Sequence, residues 1–117
     1  MISRWEELRA LALGLNLPHV TMEYPWGQET LKAHGKTWTH WAALTDAAVF
    51  KCDKAERDLL QQADPDTFPV HPHYQPHRLI LVRAGRLDEG WARARLLRTW
   101  EEMAPKRVLA SWRAQND

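Results

Sequence analysis

Residues 30–52, TLKAHGKTWTHWAALTDAAVFKC, decide the fold class of this 117-residue chain. Three strand-like runs are separated by two turn signals, His34-Gly35 and Thr45-Asp46. Glycine tolerates the positive φ of a tight hairpin turn, and runs rich in β-branched and aromatic residues favour strands. The stretch therefore predicts an antiparallel meander of three strands. These strands are predicted over residues 30–33, 37–41 and 47–52.

The segments on either side predict helices, because their apolar residues recur every three or four positions. Ser3 and Glu6 have the spacing of a capping box, and a helix is predicted over residues 4–14. Asp53 can cap a second helix that runs to about Gln62. Two further helices are predicted, a long one that starts at Asp88 and a short one that starts at Pro105.

Residues 78–83, RLILVR, form a continuous apolar run and predict a fourth strand, buried within the sheet. Before it, residues 64–76 contain four prolines and no periodicity, which is typical of an irregular loop. Strands and helices do not alternate strictly, so a doubly wound parallel sheet is disfavoured. We expect a single α+β domain over residues 1–117, with an antiparallel sheet of about four or more strands packed against helices.

Composition restricts the class of protein. Charged residues make up 26% of the chain and hydrophobic residues 44%, which is typical of a soluble globular domain. No apolar run is long enough to span a bilayer, and no signal peptide is recognisable, so no membrane partner is expected. The single cysteine, Cys52, cannot form an internal disulfide, which favours a cytoplasmic location.

The basic residues support a nucleic-acid-binding hypothesis. The net charge of +1 combines −3 in residues 1–77 with +4 in residues 78–117. Cationic side chains bind phosphates by releasing condensed counterions, and an aromatic side chain can stack on a base. Arg95 and Arg98 are predicted to share one exposed side of the long helix, for which a solvated helix face without a partner is the simpler explanation. The predicted nucleic-acid surface, with DNA as the partner, consists of Lys32, Lys36, Trp38, Arg95 and Arg98.

A binding pocket is the alternative hypothesis. Tyr24-Pro25-Trp26-Gly27 predicts a type I turn, in which Trp26 is either a structural plug or part of a binding surface. Side chains of the proline-rich loop are expected to converge beside the sheet. The predicted pocket, for a small aromatic ligand or a protein partner, consists of Trp26, Lys51, His73, Tyr74 and His77.

No catalytic motif, cofactor or metal site is predicted. The serine-nucleophile, dinucleotide-binding and P-loop glycine patterns are absent from the sequence. His71, His73 and His77 lie in the proline-rich loop without a second ligand pair at a recognisable spacing. Cys52 is expected to be a buried, apolar side chain, since Lys51 points to the opposite face of the strand. Binding is therefore favoured over catalysis.

Taken in order, these motifs resemble the MmcQ/YjbR family of small bacterial proteins. A first helix is followed by YPWG (24–27), the hairpin ETLKAHGKTW (29–38) and the strand end VFKCD (49–53). The likeness continues through the proline-rich loop to PKRVLAS (105–111). The positions that match the family pattern are Pro25, Trp26, Gly27, Gly35, Lys36, Lys51, Cys52 and Asp53.

The resemblance implies a CyaY-like α+β fold, an antiparallel sheet packed against helices. It also implies a DNA-binding role through hairpin "wings", with drug binding as the alternative. One departure stands out: many members have a tryptophan in the late strand, whereas residues 78–82, RLILV, contain none.

Overall fold

The computed structural model describes residues 1–116, and within them it contains a five-stranded antiparallel sheet and four helices, which confirms the α+β class. The strands are β1 (Val20–Glu23), β2 (Thr30–Ala33), β3 (Lys36–Ala42), β4 (Ala47–Lys51) and β5 (Leu79–Arg83), and they lie in this order across the sheet. The helices are α1 (Trp5–Gly14), α2 (Lys54–Ala63), α3 (Glu89–Met103) and α4 (Lys106–Asn116). None of these helices is long and apolar enough to cross a bilayer.

The first strand, β1, was not expected from the sequence. Its residues alternate between half-buried and exposed, so that Val20 and Met22 pack on the core while Thr21 and Glu23 face outward. In the sequence, an alternation over only four residues cannot be distinguished from a loop. Pairing with β2 makes β1 the edge of the sheet.

A β-bulge in β3 changes which side chains face the helices. The pairing register between β2 and β3 shifts between Leu31 and Lys32, which leaves one extra residue on β3. Strict alternation would send Trp38 and Trp41 to opposite faces of the sheet. Because of the bulge, both tryptophans lie in the same core cluster, on the helical side.

Trp38 joins this sheet to α3. Its side chain is only 1% exposed. The indole Nε1–H donates to the Leu96 carbonyl oxygen at 3.1 Å and to Thr99 Oγ1 at 3.0 Å. Farther along the same helix, Trp100 Nε1–H donates to the Pro18 carbonyl oxygen at 2.9 Å. These bonds fix the second half of α3 across the sheet.

In the structure the proline-rich loop extends over residues 64–78, from the end of α2 to the start of β5, and it wraps around this edge strand. The Arg83 amide of β5 donates to the Thr67 carbonyl oxygen at 2.9 Å. Phe68 packs into the core on the helical side, whereas Tyr74 packs on the opposite face of the sheet. The loop therefore covers the edge and both faces of β5, which protects its unpaired backbone groups.

Arg57 of α2 holds this loop in place. Its side chain is buried, and its Nη1–H groups donate to the carbonyl oxygens of Gln75 at 2.9 Å and His77 at 2.7 Å. The amides of Gln61 and Gln75 add a reciprocal pair of hydrogen bonds at 3.2 and 3.1 Å. The loop is irregular in sequence, and side chains of α2 satisfy three of its backbone carbonyl groups, those of Pro69, Gln75 and His77.

Two of the three predicted helix caps are confirmed. The Asp53 carboxylate accepts from the Glu56 amide at the start of α2, and the Asp88 carboxylate accepts from the Trp91 amide at the start of α3. The capping box at α1 was wrong. Its N-cap is Arg4, without a side-chain bond, and the backbone and hydroxyl of Ser3 both donate to Glu7.

The turn at Tyr24–Gly27 differs from the predicted type I geometry. Trp26 and Gly27 both have positive φ, 56° and 78°. The Gln28 amide donates to the Pro25 carbonyl oxygen at 3.2 Å, so the two central residues match a type I′ turn. Trp26 is fully exposed, at 103%, which makes the plug interpretation wrong. A bulky residue with left-handed backbone is strained.

Substitution of the two tryptophans tests this difference in burial. We expect Trp26→Ala to change the free energy of unfolding by less than about 0.5 kcal/mol, as is usual for an exposed residue. Trp38→Ala should cost about 3–5 kcal/mol, because it empties a core position. Trp26→Gly should be about 1 kcal/mol more stable than Trp26→Ala, since glycine accepts positive φ without strain. Urea unfolding measures all three.

A Trp26→Ala variant that loses as much stability as Trp38→Ala would contradict this account and restore the plug interpretation.

Candidate functional site

A cleft of about 280 Å³ lies where the end of β4 and the start of β5 meet α3. We call it the basic cleft, because four of its lining residues are cationic. Backbone pairing explains part of this arrangement: the Cys52 amide donates to the Arg78 carbonyl oxygen at 3.1 Å, which extends the β4–β5 ladder. The lining residues are Lys51, Cys52, Asp53, Arg78, Arg95, Arg98, Thr99, Glu102 and Met103.

Arg95 forms the inner wall of the basic cleft and is only 7% exposed. Its guanidinium is paired with the Glu56 carboxylate of α2. The same group lies 5.1 Å from the ring centroid of Trp91 and 3.7 Å from Cys52 Sγ. A buried charge needs such compensation, so this cation is structural. The prediction that Arg95 shares an exposed side with Arg98 was wrong.

Arg98 lies one turn farther along α3 and is 54% exposed. Its Nη2 group is 3.1 Å from Glu56 Oε1, and its Nε–H donates to Glu102 Oε1 at 3.1 Å. The two carboxylates raise the pKa of Arg98, with Glu56 contributing most. One exposed arginine is therefore held between two acids at the mouth of the cleft.

Lys51 and Arg78 complete the cationic lining. Neither forms an ion pair with any other residue among 1–116, in contrast to Arg95 and Arg98. They come from two neighbouring strand ends that the antiparallel sheet brings together, since Lys51 pairs with Leu79 in the ladder. Arg78 pairs with Cys52 on the helical face and therefore offers its hydrogen-bond donors to a ligand in the cleft. The Lys51 side chain lies on the opposite face, with Leu79, so Lys51 borders the cleft only from the strand end.

Cys52 is the only thiol in the chain, and it is 5% exposed in the wall of the cleft. Burial raises its pKa, an effect that the nearby Arg95 guanidinium opposes. The thiol therefore remains protonated at neutral pH and is a poor nucleophile. Its location agrees with the sequence-based expectation of a buried, apolar side chain.

The predicted nucleic-acid surface is not assembled as a continuous patch. Trp38 is buried against α3 and cannot stack on a base, because its ring fills the core. Lys32 is 3.2 Å from Glu23 Oε1 and is thus partly neutralised. Lys36 is exposed at the β2–β3 turn, and Arg98 is exposed in the basic cleft. Only these last two offer an accessible charge at the sheet end where β4 finishes.

The predicted pocket is also divided. Trp26 follows β1 and lies at the end of the sheet where β4 begins, whereas Lys51 lies at the end where β4 finishes. These two residues therefore cannot share a site. His73 and Tyr74 do meet, with ring centroids 4.9 Å apart, and His77 contributes its backbone carbonyl to Arg57.

Burial against the outer face of the sheet raises the pKa of Tyr74. Among the residues of the proline-rich loop, only Arg78 reaches the basic cleft. The loop therefore positions an arginine, and its histidines and tyrosine lie elsewhere.

The sequence did not predict the place of Arg78 and Glu102 in the cleft, or of Glu56, which pairs with two of its arginines. Glu56 is the third helical position after the Asp53 cap, a place that by itself indicates only a helix start. The spacing of Arg98 and Glu102, four apart on a helix, is a recognisable ion-pair signal. The contact between Arg95 and Glu56 joins residues 39 positions apart, and no local pattern predicts it.

The Glu56 pair gives the protein a defined acid sensitivity. Hydrogen bonding from Arg95 lowers the pKa of Glu56 in the folded state. The stabilisation is therefore present above the unfolded pKa, near 4.5, and is lost as pH falls through the lower folded value. We expect Glu56→Gln to destabilise the fold by about 1–3 kcal/mol at pH ~7 and by progressively less as the pH falls below about 4.

Urea unfolding of both proteins across this pH range measures the difference. A difference between wild type and Glu56→Gln that stays constant down to about pH 3 would contradict this role for the carboxylate.

Comparison with known proteins identifies the family. The family model described as YjbR matches residues 15–104. This match includes all five strands together with α2 and α3, and therefore every residue that lines the basic cleft. The segment PKRVLAS (105–111) lies outside the matched residues. No curated protein and no solved structure matched the chain.

The motif order in the sequence, the α+β architecture and the family model agree with one another, and we conclude that the chain belongs to the YjbR family.

Proposed function

We propose that this protein is a non-catalytic binding module that holds a phosphate group in the basic cleft. The observation that carries the proposal is the presence of Lys51 and Arg78 beside a partly exposed Arg98 in one concave site. Lysine and arginine are the side chains that recognise phosphate, and arginine does so through two parallel N–H bonds. Arg78 and Arg98 supply the hydrogen-bond donors for an anion, and Lys51 adds positive charge at the adjoining strand end.

The chemistry of the lining favours an anion over a planar aromatic ligand. None of the cleft residues is aromatic, and Met103 is the largest apolar side chain among them. Pockets for aromatic ligands are lined mainly by hydrophobic and aromatic groups. The drug-like ligand considered from the sequence therefore receives less support than a phosphorylated one.

Two sources of the phosphate are consistent with this chemistry, a free nucleotide and a nucleic-acid strand. The nucleic-acid source gains support from Lys36, which is exposed at the same end of the sheet as the basic cleft. Lys106 and Arg107 directly follow the end of α3 and are also exposed. Further phosphates of a DNA strand would meet these cations, as in the hypothesis drawn from the sequence.

The non-catalytic part of the proposal rests on the groups in the cleft. The protonated, buried thiol of Cys52 is a weak nucleophile. The Asp53 carboxylate accepts a bond from the Glu56 amide as the cap of α2, and Glu102 accepts from Arg98. The side chains of Asp53 and Glu102 already accept hydrogen bonds within the protein, and the Cys52 thiol is protonated. We therefore propose binding rather than catalysis.

Calorimetric titration tests the proposal with three probes: inorganic pyrophosphate, adenosine monophosphate and a single-stranded DNA of about 20 nucleotides. We expect saturable pyrophosphate binding that Arg78→Gln weakens about tenfold, because it removes a charge-assisted hydrogen bond. Lys51→Gln should weaken binding less, because it removes only a positive charge beside the cleft. The matched control is Arg4→Gln, which neutralises an exposed arginine ahead of α1 and should leave the affinity unchanged.

The probes distinguish the two sources. Affinity for DNA that exceeds that for adenosine monophosphate and falls steeply with salt identifies a nucleic-acid strand. The reverse order identifies a free nucleotide. No saturable binding of any probe, or equal losses in Arg4→Gln and Arg78→Gln, would contradict the proposal.

A further inference from the structure

Arg98 is bound by more carboxylate oxygens than its role in the fold requires. Its Nη2 and Nη1 groups lie 3.1 and 3.4 Å from the two oxygens of Glu56, and its Nε–H donates to Glu102 at 3.1 Å. Every nitrogen of this guanidinium thus faces an acid, yet the side chain is 54% exposed. A surface arginine in water needs no such compensation.

Glu102 is placed unfavourably for helix stability. It lies in the last turn of α3, where the helix dipole disfavours negative charge, and that turn contains no basic residue. The pair also runs from arginine to glutamate along the chain, which is the weaker orientation of an ion pair four residues apart. The carboxylate therefore contributes little to folding, and its location at the cleft calls for another explanation.

We infer that Glu102 and Glu56 act as internal competitors for the phosphate ligand, which must displace them from Arg98. The inference rests on the proposed function and adds the way in which the site is regulated. Carboxylate and phosphate oxygens bind the same guanidinium donors, so the acids occupy Arg98 in the ligand-free protein. The ligand first meets Arg78, and Arg98 then turns from the acids to the phosphate.

Arg95 does not take part in this exchange. Its guanidinium is buried, paired with Glu56 and stacked on Trp91, so releasing it would leave a charge uncompensated in the core. Glu56 therefore stays with Arg95 when Arg98 leaves. Glu102 is 61% exposed and has only Arg98 as an ion-pair partner among residues 1–116, which makes it the carboxylate that can be released without loss of the fold.

Internal competition also predicts selectivity for charge. A monoanionic carboxylate ligand only replaces one carboxylate with another at Arg98, so little binding free energy is gained. A phosphate that carries close to two negative charges gains more from the same arginine and from Lys51 and Arg78. Competition from Glu56 and Glu102 therefore makes the site selective for phosphate over carboxylate ligands. This selectivity comes from an unfavourable interaction with the wrong ligand.

Glu102→Gln tests the inference, with Glu101→Gln as the matched control. Both variants remove one negative charge from the last turn of α3, but Glu101 pairs with Arg113 and does not line the cleft. We expect Glu102→Gln to bind inorganic pyrophosphate about two- to fivefold more tightly than wild type, because the competing pair is of the exposed kind. Glu101→Gln should bind as wild type does.

A second pair of variants isolates the role of Arg98. In the Arg98→Gln variant, the further change Glu102→Gln should increase the affinity for pyrophosphate by less than half as much as it does in the wild type. The reason is that the arginine released by Glu102→Gln is absent from this variant. An equal gain in both backgrounds would contradict the inference, as would equal gains from Glu101→Gln and Glu102→Gln.

The result also separates this inference from the proposed function. Wild-type binding of pyrophosphate without any tightening in Glu102→Gln overturns internal competition and leaves the phosphate site intact. Absence of pyrophosphate binding in the wild type and in Glu102→Gln overturns the site itself.

Discussion

The indole N–H of Trp38 determines where α3 lies, and the candidate site depends on that placement. The bulge in β3 turns Trp38 toward the helices, where it donates to Leu96 and Thr99. Thr99 is itself a lining residue of the basic cleft. The same contact therefore fills the core and brings the second half of α3 to the ends of β4 and β5. A tryptophan that fits the pattern of a nucleic-acid contact in the sequence is instead what positions the cleft.

Electrostatics then divides the arginines into two groups. Arg57 and Arg95 are buried, and each is compensated by fixed partners, backbone carbonyl groups for the first and Glu56 for the second. Arg78 and Arg98 are exposed and line the cleft with donors that a ligand can reach or recruit. Because a buried charge must be paired, the first group stabilises the fold. The second group concentrates accessible cations around one cavity.

Local signals in the sequence predicted part of the local structure correctly, although the capping box at α1 and the type I turn at Tyr24–Gly27 were wrong. The His34-Gly35 turn and the caps at Asp53 and Asp88 depend on neighbouring residues alone, and all three are present. The bulge at Trp38 depends on pairing with another strand, so strict alternation places this side chain relative to Trp41 on the wrong face. The burial of Arg95 depends on a contact with α2, so the helical wheel wrongly predicts that it is exposed. The site was predicted only in part for the same reason, since the cleft joins residues far apart in the chain.

The most direct test of the account is a titration of the nitrogen-15-labelled protein with inorganic phosphate, followed through the arginine Nε–H resonances by NMR. The basic cleft predicts saturable shifts of the Arg78 and Arg98 signals, with those of Arg4 and Arg113 unchanged. Parallel, unsaturated shifts of all four arginines would reflect only ionic strength. That result, or the absence of any shift at Arg78 and Arg98, would contradict the phosphate site.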